Sequence, residues 1–415
     1  MLEDDRPRLR PLRGRELVHD GRSYVALECP LGIFAGPILV ASEWFHRVVR
    51  HFDGTNTLCA IRDRLVRETS QRIPLEQLQS LAADLDRALA LDSPALSRFL
   101  DDYRAQRIRP AAHAGASYPA DAGALRAQLA RYFADAEGSG PLSESGRNGH
   151  PRVRGILSPH IDFARGGPTY THAYRELVER SDADVFVIFG VAHSPCRRRF
   201  AATRKDFQTP LGVARTDQEF VDAIESSVGP SLFDDELAHR NEHSVEFQVV
   251  FLQHLLGDRR DFTIVPILVG SFHDLMVRKG EPIDDPEVAR FVAAVRHAEA
   301  TRGKRVAYIG GIDLCHVGPQ FGDPGPVRDA TLDEVRRFDA ALLDRARAAD
   351  AAGWFGHAAE VRDRWRVCGL SATYTMLHAM GPANGRLLKY HQAVDARRTC
   401  CVTIASVAYD SPSEA

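Results

Sequence analysis

The spacing of apolar and polar positions changes its rhythm near residue 113. Beyond it, short apolar runs suited to strands alternate with longer stretches in which apolar residues recur every three or four positions. The short runs predict strands at 155–157, 184–189, 262–269, 305–309 and 401–407. The longer ones predict helices at 122–136, 218–226, 245–256, 286–301, 330–349 and 370–380. Strand and helix in alternation predict an α/β layered domain over residues 113–410. No period of roughly 20–50 residues recurs, which excludes a solenoid.

Before residue 113 the pattern is different. Val18 to Leu27 reads as two short strands around the turn Asp20-Gly21. Ser42 is a candidate cap for a helix over 43–52. Asp53-Gly54-Thr55 breaks it, and helices are predicted at 57–68 and 75–91. The stripe Leu78, Leu81, Leu85 and Leu89 reads as core. Residues 1–105 form a small α+β domain, 101–110 a charged linker ending at Pro110, and Gly138 to Pro151 a flexible loop. Strands followed by three short helices around Phe52-Asp53-Gly54-Thr55-Asn56-Thr57 resemble the winged-helix-like domain of the PqqD family, over residues 9–100. The resemblance implies that a peptide binds at a strand edge and an adjacent helix. The plainer reading is an accessory domain without a ligand, since no polar cluster here suggests catalysis.

Composition narrows the classes. The chain has 415 residues, enough for two or three domains, and its 44% hydrophobic content supports a sizeable core. A net charge of -3, with Arg interspersed among acids, argues against nucleic acid as a partner. Seven Cys with no CxxC pair suit a reducing, cytoplasmic setting rather than a disulfide framework. Met1 to Arg6 is charged and lacks a signal core. No apolar run approaches ~18 residues, so no membrane span is expected.

Candidate chemistry lies at the ends of the predicted strands. After the first comes Ser158-Pro159-His160-Ile161-Asp162, after the second Gly190-Val191-Ala192-His193, and after the fourth Gly310-Gly311-Ile312-Asp313-Leu314-Cys315-His316. In a parallel sheet these ends share one edge, where ligands bind. Any one of these histidines alone would be an ordinary structural residue. Together, His160, His193 and Cys315 read as ligands of one metal ion. Two imidazoles and an anionic ligand leave positions open for substrate and dioxygen, as in non-haem iron chemistry, and a thiolate also suits copper or zinc. His316 competes with Cys315, although adjacent residues in extended chain point apart.

Asn241-Glu242-His243-Ser244-Val245-Glu246 opens a predicted helix. There the positive helix end lowers the pKa of an imidazole. His243 is read either as a general base or acid, or as passive beside a cap at Asn241 or Ser244. Glu242 and Asp313 are natural hydrogen-bond partners for ligand imidazoles. Cys196, in a basic run, is a weaker candidate, and Cys368 before the helix at 370 could line the pocket.

Six stretches carry a family resemblance: His113-Ala114-Gly115-Ala116-Ser117-Tyr118, Pro159 to Phe163, Phe189 to His193, Glu242 to Glu246, Ile264 to Gly270, and Asp313 to His316. In this order they resemble the Memo family, including the type named AmmeMemoRadiSam system protein B. The resemblance implies a fold similar to class III extradiol dioxygenases. It also implies His160, His193 and Cys315 as metal positions, His243 in the pocket, and Asp162 as a departure that alters that pocket. Cys315 stands where those dioxygenases carry a carboxylate, which argues against ring cleavage. The expected function is a redox-active non-haem metal enzyme with one metal ion, iron or copper before zinc. Its expected context is a modification pathway with a radical-SAM protein and an AMMECR1-like protein. The alternatives are a non-catalytic metal- or peptide-binding module and a zinc-type hydrolase.

Overall fold

The computed structural model describes residues 6–34, 36–70, 73–143, 152–257 and 259–412. Part of the loop expected at 138–151 therefore lies outside the described residues. The chain divides into two compact units, Met1–Gln106 and Arg107–Ala415.

In the first unit, β1 (Arg13–His19) and β2 (Arg22–Glu28) form an antiparallel hairpin. Asp20 and Gly21 both have positive φ, 49° and 73°, as a two-residue mirror-image turn requires. β3 (Ile38–Ala41) adds to the other side of β2. Four helices follow: α1 (Ser42–Arg47), α2 (Leu58–Thr69), α3 (Leu75–Arg87) and α4 (Pro94–Ala105). Thr57 caps α2 by accepting from the Ala60 N–H, and Leu58, Ile61, Leu65, Leu78 and Leu85 close the core. α4 corrects the linker expected at 101–110. Ser93 caps it, Pro94 opens it, and Leu96 and Tyr103 are buried, so residues 101–105 are helical.

The second unit is built on one mixed sheet. Its strands are β4 (Ile108–Arg109), β5 (Val153–Ser158), β6 (Val185–Val191), β7 (Phe200–Ala202), β8 (Asp206–Thr209), β9 (Gly212–Thr216), β10 (Thr263–Val269), β11 (Val306–Gly311), β12 (His316–Val317), β13 (Asn384–Val394) and β14 (Cys401–Asp410). They lie in the order β12-β14-β5-β11-β6-β10-β9-β8-β4, with β13 on β14 and β7 on β10. The four central strands, β5, β11, β6 and β10, run parallel, while β14 runs antiparallel to β5.

Alternation along β6 shows how the layers form. Phe186 and Ile188 join Ala307 and Ile309 under α5 (Ala122–Ala134), α6 (Phe163–Arg180) and α8 (His243–Leu256). Val185, Val187 and Phe189 join Val306 and Tyr308 on the opposite face. There they meet α7 (Gln218–Val228), α10 (Pro286–Arg302), α11 (Asp329–Arg347), α12 (Ala351–Glu360) and α13 (Leu370–Met380). The short α9 (His273–Val277) lies between β10 and α10 in the chain. Strands buried on both faces read as near-continuous apolar runs, and these central four do. No helix among the described residues is long and apolar enough to cross a membrane.

A candidate metal centre

Parallel β5 and β6 end on the same edge of the sheet, and each is followed within two residues by a histidine, His160 and His193. The third histidine arrives from the first turn of α8. Gly311, at the end of β11, makes room for it. A Cβ there would stand 2.5 Å from the Ser244 carbonyl oxygen and 2.9 Å from the Gln248 amide nitrogen. α8 is then tied to both strand ends, with Ser244 Oγ donating to the Val191 carbonyl at 3.0 Å and Gln248 Nε2 donating to that of Pro159 at 2.8 Å.

One ring nitrogen from each of His160, His193 and His243 lies within 4.8 Å of the others. Ring centroids are 5.0 Å apart for His160–His193, 5.2 Å for His160–His243 and 4.7 Å for His193–His243. In each ring Nδ1 already faces an oxygen. That of His160 is 2.8 Å from the Gly311 carbonyl, that of His193 is 3.0 Å from Glu242 Oε1, and that of His243 is 3.2 Å from the same oxygen. The hydrogen bonds of His160 and His193 favour the proton on Nδ1 and leave Nε2 bare, the tautomer a metal ligand needs. His160 is buried, His243 half-buried, and the His193 side chain 41% exposed, so the cluster has one open side.

Burial and the neighbouring imidazoles hold His160 and His243 neutral, each with a pKa lowered to about 3. Burial also opposes charge on His193, but hydrogen bonding and attraction to Glu242 outweigh it and raise its pKa. Glu242 is buried, which works against its carboxylate. His193, His243 and the Ser244 N–H nonetheless keep it well below the usual carboxylate range. Glu242 also caps α8, the place expected of Asn241 or Ser244.

The thiol expected at the metal, that of Cys315, lies elsewhere. Leu314 N–H donates to the Thr403 carbonyl, Thr403 N–H to that of Cys315, and Cys315 N–H to Thr403 Oγ1, which fixes the segment on β14. The Cys315 side chain then enters the apolar core, where Sγ donates to Asp339 Oδ1 at 3.0 Å. Burial and Asp339 push its pKa well up. The thiol that does reach the cluster is Cys368, whose Sγ is 3.3 Å from Nε2 of His160. It is carried there by Gly369, whose N–H donates to the Asp313 carbonyl and whose missing Cβ would stand 2.5 Å from that of Ile312. The dipeptide Cys-Gly immediately before a helix was the sequence signal for this approach.

The remaining candidates separate cleanly. Asp313 accepts from the N–H groups of His160 and Ile161, at 2.9 and 3.2 Å, and burial raises its pKa to about 6. Asp162 caps α6 and pairs with Arg165. Burial and two nearby carboxylates raise Cys196 to about 12, the reverse of the lowering its basic run suggested. His316 donates from Nδ1 toward the carbonyls of Leu314 and Arg366 and faces a pocket of about 410 Å³. His193 and Cys368 line the same pocket, with Phe272, Met276 and Phe321 supplying apolar walls. Three residues of the loop entering it, Arg362, Asp363 and Arg366, hold positive φ of 53°, 47° and 54°. Such backbone persists only where its surroundings over-determine it. Here Arg366 is fixed by Asp323 and by the His316 carbonyl.

Comparison with known proteins places these segments in one family. A family model described as Memo-like protein matches residues 109–411. A MEMO1 family protein of Methanopyrus kandleri is 32% identical over 294 residues, covering 69% of this chain and 93% of its own length. One of Thermus thermophilus is 26% identical, covering 82% of this chain and 95% of its own. One of Aquifex aeolicus is 27% identical, covering 92% and 94%, so that match reaches well into the first unit. The chain belongs to the Memo-like family.

Proposed function

We propose that the chain is a redox-active metal enzyme whose single ion is held by Nε2 of His160, His193 and His243, with the Cys368 thiol as a further donor. The observation that carries this reading is the convergence of three imidazoles, one ring nitrogen of each within 4.8 Å of the others, with Nδ1 of His160 and His193 already hydrogen-bonded to oxygens. A bound iron or copper ion would supply Lewis acidity and a change of oxidation state there, and the imidazole–thiol donor set suits both. The rest is done by the chain. Glu242 orients His193 and His243, Asp313 fixes the backbone at His160, and the apolar walls exclude water from the reacting group. With His243 among the donors, a proton carrier facing the pocket is His316. Its Nδ1 is committed to backbone carbonyls, so Nε2 is the proton acceptor.

Anaerobic purification with metal analysis, followed by dioxygen-uptake assays, tests this reading. Iron or copper at one equivalent, lost in His160→Ala and His193→Ala protein, supports it. Zinc alone, with hydrolysis of model esters and no redox turnover, replaces it with a hydrolase. Bound metal without any turnover leaves a binding module.

The proposed context is a modification pathway with a radical-SAM protein and an AMMECR1-like protein in the cytoplasm, the first unit presenting a peptide. In support, β1 and β3 each pair on one side only among the described strands, which leaves strand edges for an added strand. Retention of pathway peptides by the full chain, lost when the β3 edge carries a proline, would bear this out. Equal retention by the variant would refute it.

A further inference from the structure

Two of the sequence stretches singled out above, His113 to Tyr118 and Glu242 to Glu246, meet at a single buried carboxylate. Glu246 lies one helical turn after His243, and neither its side chain nor that of Arg109 has any solvent exposure. Arg109 donates to Glu246, to the carbonyl of His239 at 2.9 Å and to that of Glu242 at 2.8 Å. Glu246 in turn accepts from the N–H groups of Ala112 and His113, each at 3.0 Å, and from the Tyr118 hydroxyl. Nε2 of His113 lies 3.0 Å from the Asn241 carbonyl, and its ring stands edge-on to that of His243 at 5.7 Å.

A buried ion pair is weak evidence for stability, because apolar residues of similar volume would do as well. What this pair does specifically, together with His113, is hold three carbonyls of one turn, those of His239, Asn241 and Glu242. Arg109 grips the turn at His239 and Glu242, His113 grips it at Asn241, and Glu246 anchors both to α8. That turn delivers Glu242 and His243. We infer that Arg109 and Glu246 are positioning residues for the metal cluster: through the turn at 239–242 they set where Glu242 and His243 stand, and so the geometry of the donor set. The inference rests on the metal reading above.

The test uses full-length, metal-free protein with Co(II) as the probe. Glu246→Gln keeps the size and removes the charge; Arg109→Lys keeps the charge and removes the fork. Tyr118→Phe deletes one donor and leaves the ion pair. Expected for Glu246→Gln is a 10- to 100-fold loss of Co(II) affinity. With it come an altered ligand-field spectrum and faster amide exchange at 242–244, while exchange in the later turns of α8 keeps its rate. Arg109→Lys should do the same, and Tyr118→Phe should move the spectrum less in the same direction. A folded Glu246→Gln protein with wild-type spectrum and affinity overturns the inference. Should that variant not fold, unchanged spectra in both Arg109→Lys and Tyr118→Phe overturn it instead. Failure of the metal reading looks different: wild-type protein would not take up Co(II), or His243→Ala would bind it as the wild type does. In that case exchange at 242–244 alone decides, and wild-type rates in the variants overturn the inference.

Discussion

Sγ of Cys368 stands 3.3 Å from Nε2 of His160, although 208 residues separate them in the chain. The contact brings the thiol of the loop before α13 against the cluster at His160, while that of the segment after β11 lies in the core. It makes a paired prediction. Cobalt-loaded Cys368→Ser protein should lose the thiolate charge-transfer absorption, and Cys315→Ala protein should keep it. Cys315→Ala should instead cost about 1–3 kcal/mol of stability, through the lost hydrogen bond to buried Asp339 and the small void left behind. Spectra and urea denaturation of both variants check the pair.

Gly369→Ala addresses how the thiol gets there. The added Cβ would meet Cβ of Ile312 at 2.5 Å and the Asp313 carbonyl at 2.8 Å, and neither is the free end of a flexible chain. The loop must move, at a cost of about 1–3 kcal/mol. The charge-transfer band should weaken with it. An unchanged band would show that Cys368 is placed by something other than this close approach.

Glu242→Gln removes the charge against which both His193 and His243 rest. The amide still accepts a hydrogen bond, so the fold should survive, but the imidazoles become poorer donors. Metal affinity should fall by about 10–100-fold, as measured by competition with a chelator. Wild-type affinity would mean that Glu242 serves only as the cap of α8.

Stability of the metal-free protein should depend on pH in a particular way. The histidine pKa values, about 3 for His160 and His243, lie below their ordinary value of 6.5, so between these limits the unfolded chain binds the extra protons. Stability from these groups therefore falls as the pH drops through that window. Asp313 and Asp339 work the opposite way. Burial raises each to about 6 from 3.8, so the folded chain holds their protons and gains stability as the pH falls through 6. Asp339→Asn removes one of these opposing contributions without touching the cluster. Its stability should decline more steeply than that of the wild type between pH 6 and 4.5 in urea titrations, both limits falling inside the window set by these values. Parallel curves would contradict the assignment.

What was legible in the sequence follows from what was buried on both sides. β6, β10 and β11 lie inside the sheet with helices over each face, so their residues form unbroken apolar runs. His160 and His193 could be picked out because each directly follows such a run. β13, by contrast, is mostly half-buried or exposed along its length, and its mixed composition gave no strand signal. β7, β8 and β9 have five residues or fewer. α4 was hidden because its exposed face is charged and a proline follows soon after it. The thiol was misplaced for a deeper reason. Cys315 follows a strand, as the two histidines do, but hydrogen bonds to Thr403 of β14 fix that segment and send its thiol into the core. Cys368 depends on a loop of positive-φ residues whose path no periodicity encodes.

Crystals of the metal-loaded protein, measured at an energy where the metal scatters anomalously, test the central claim most directly. The account predicts one anomalous peak within bonding distance of Nε2 of His160, His193 and His243, with Sγ of Cys368 beside it. A peak at Cys315, or a fully loaded protein with no peak among the three imidazoles, would contradict it.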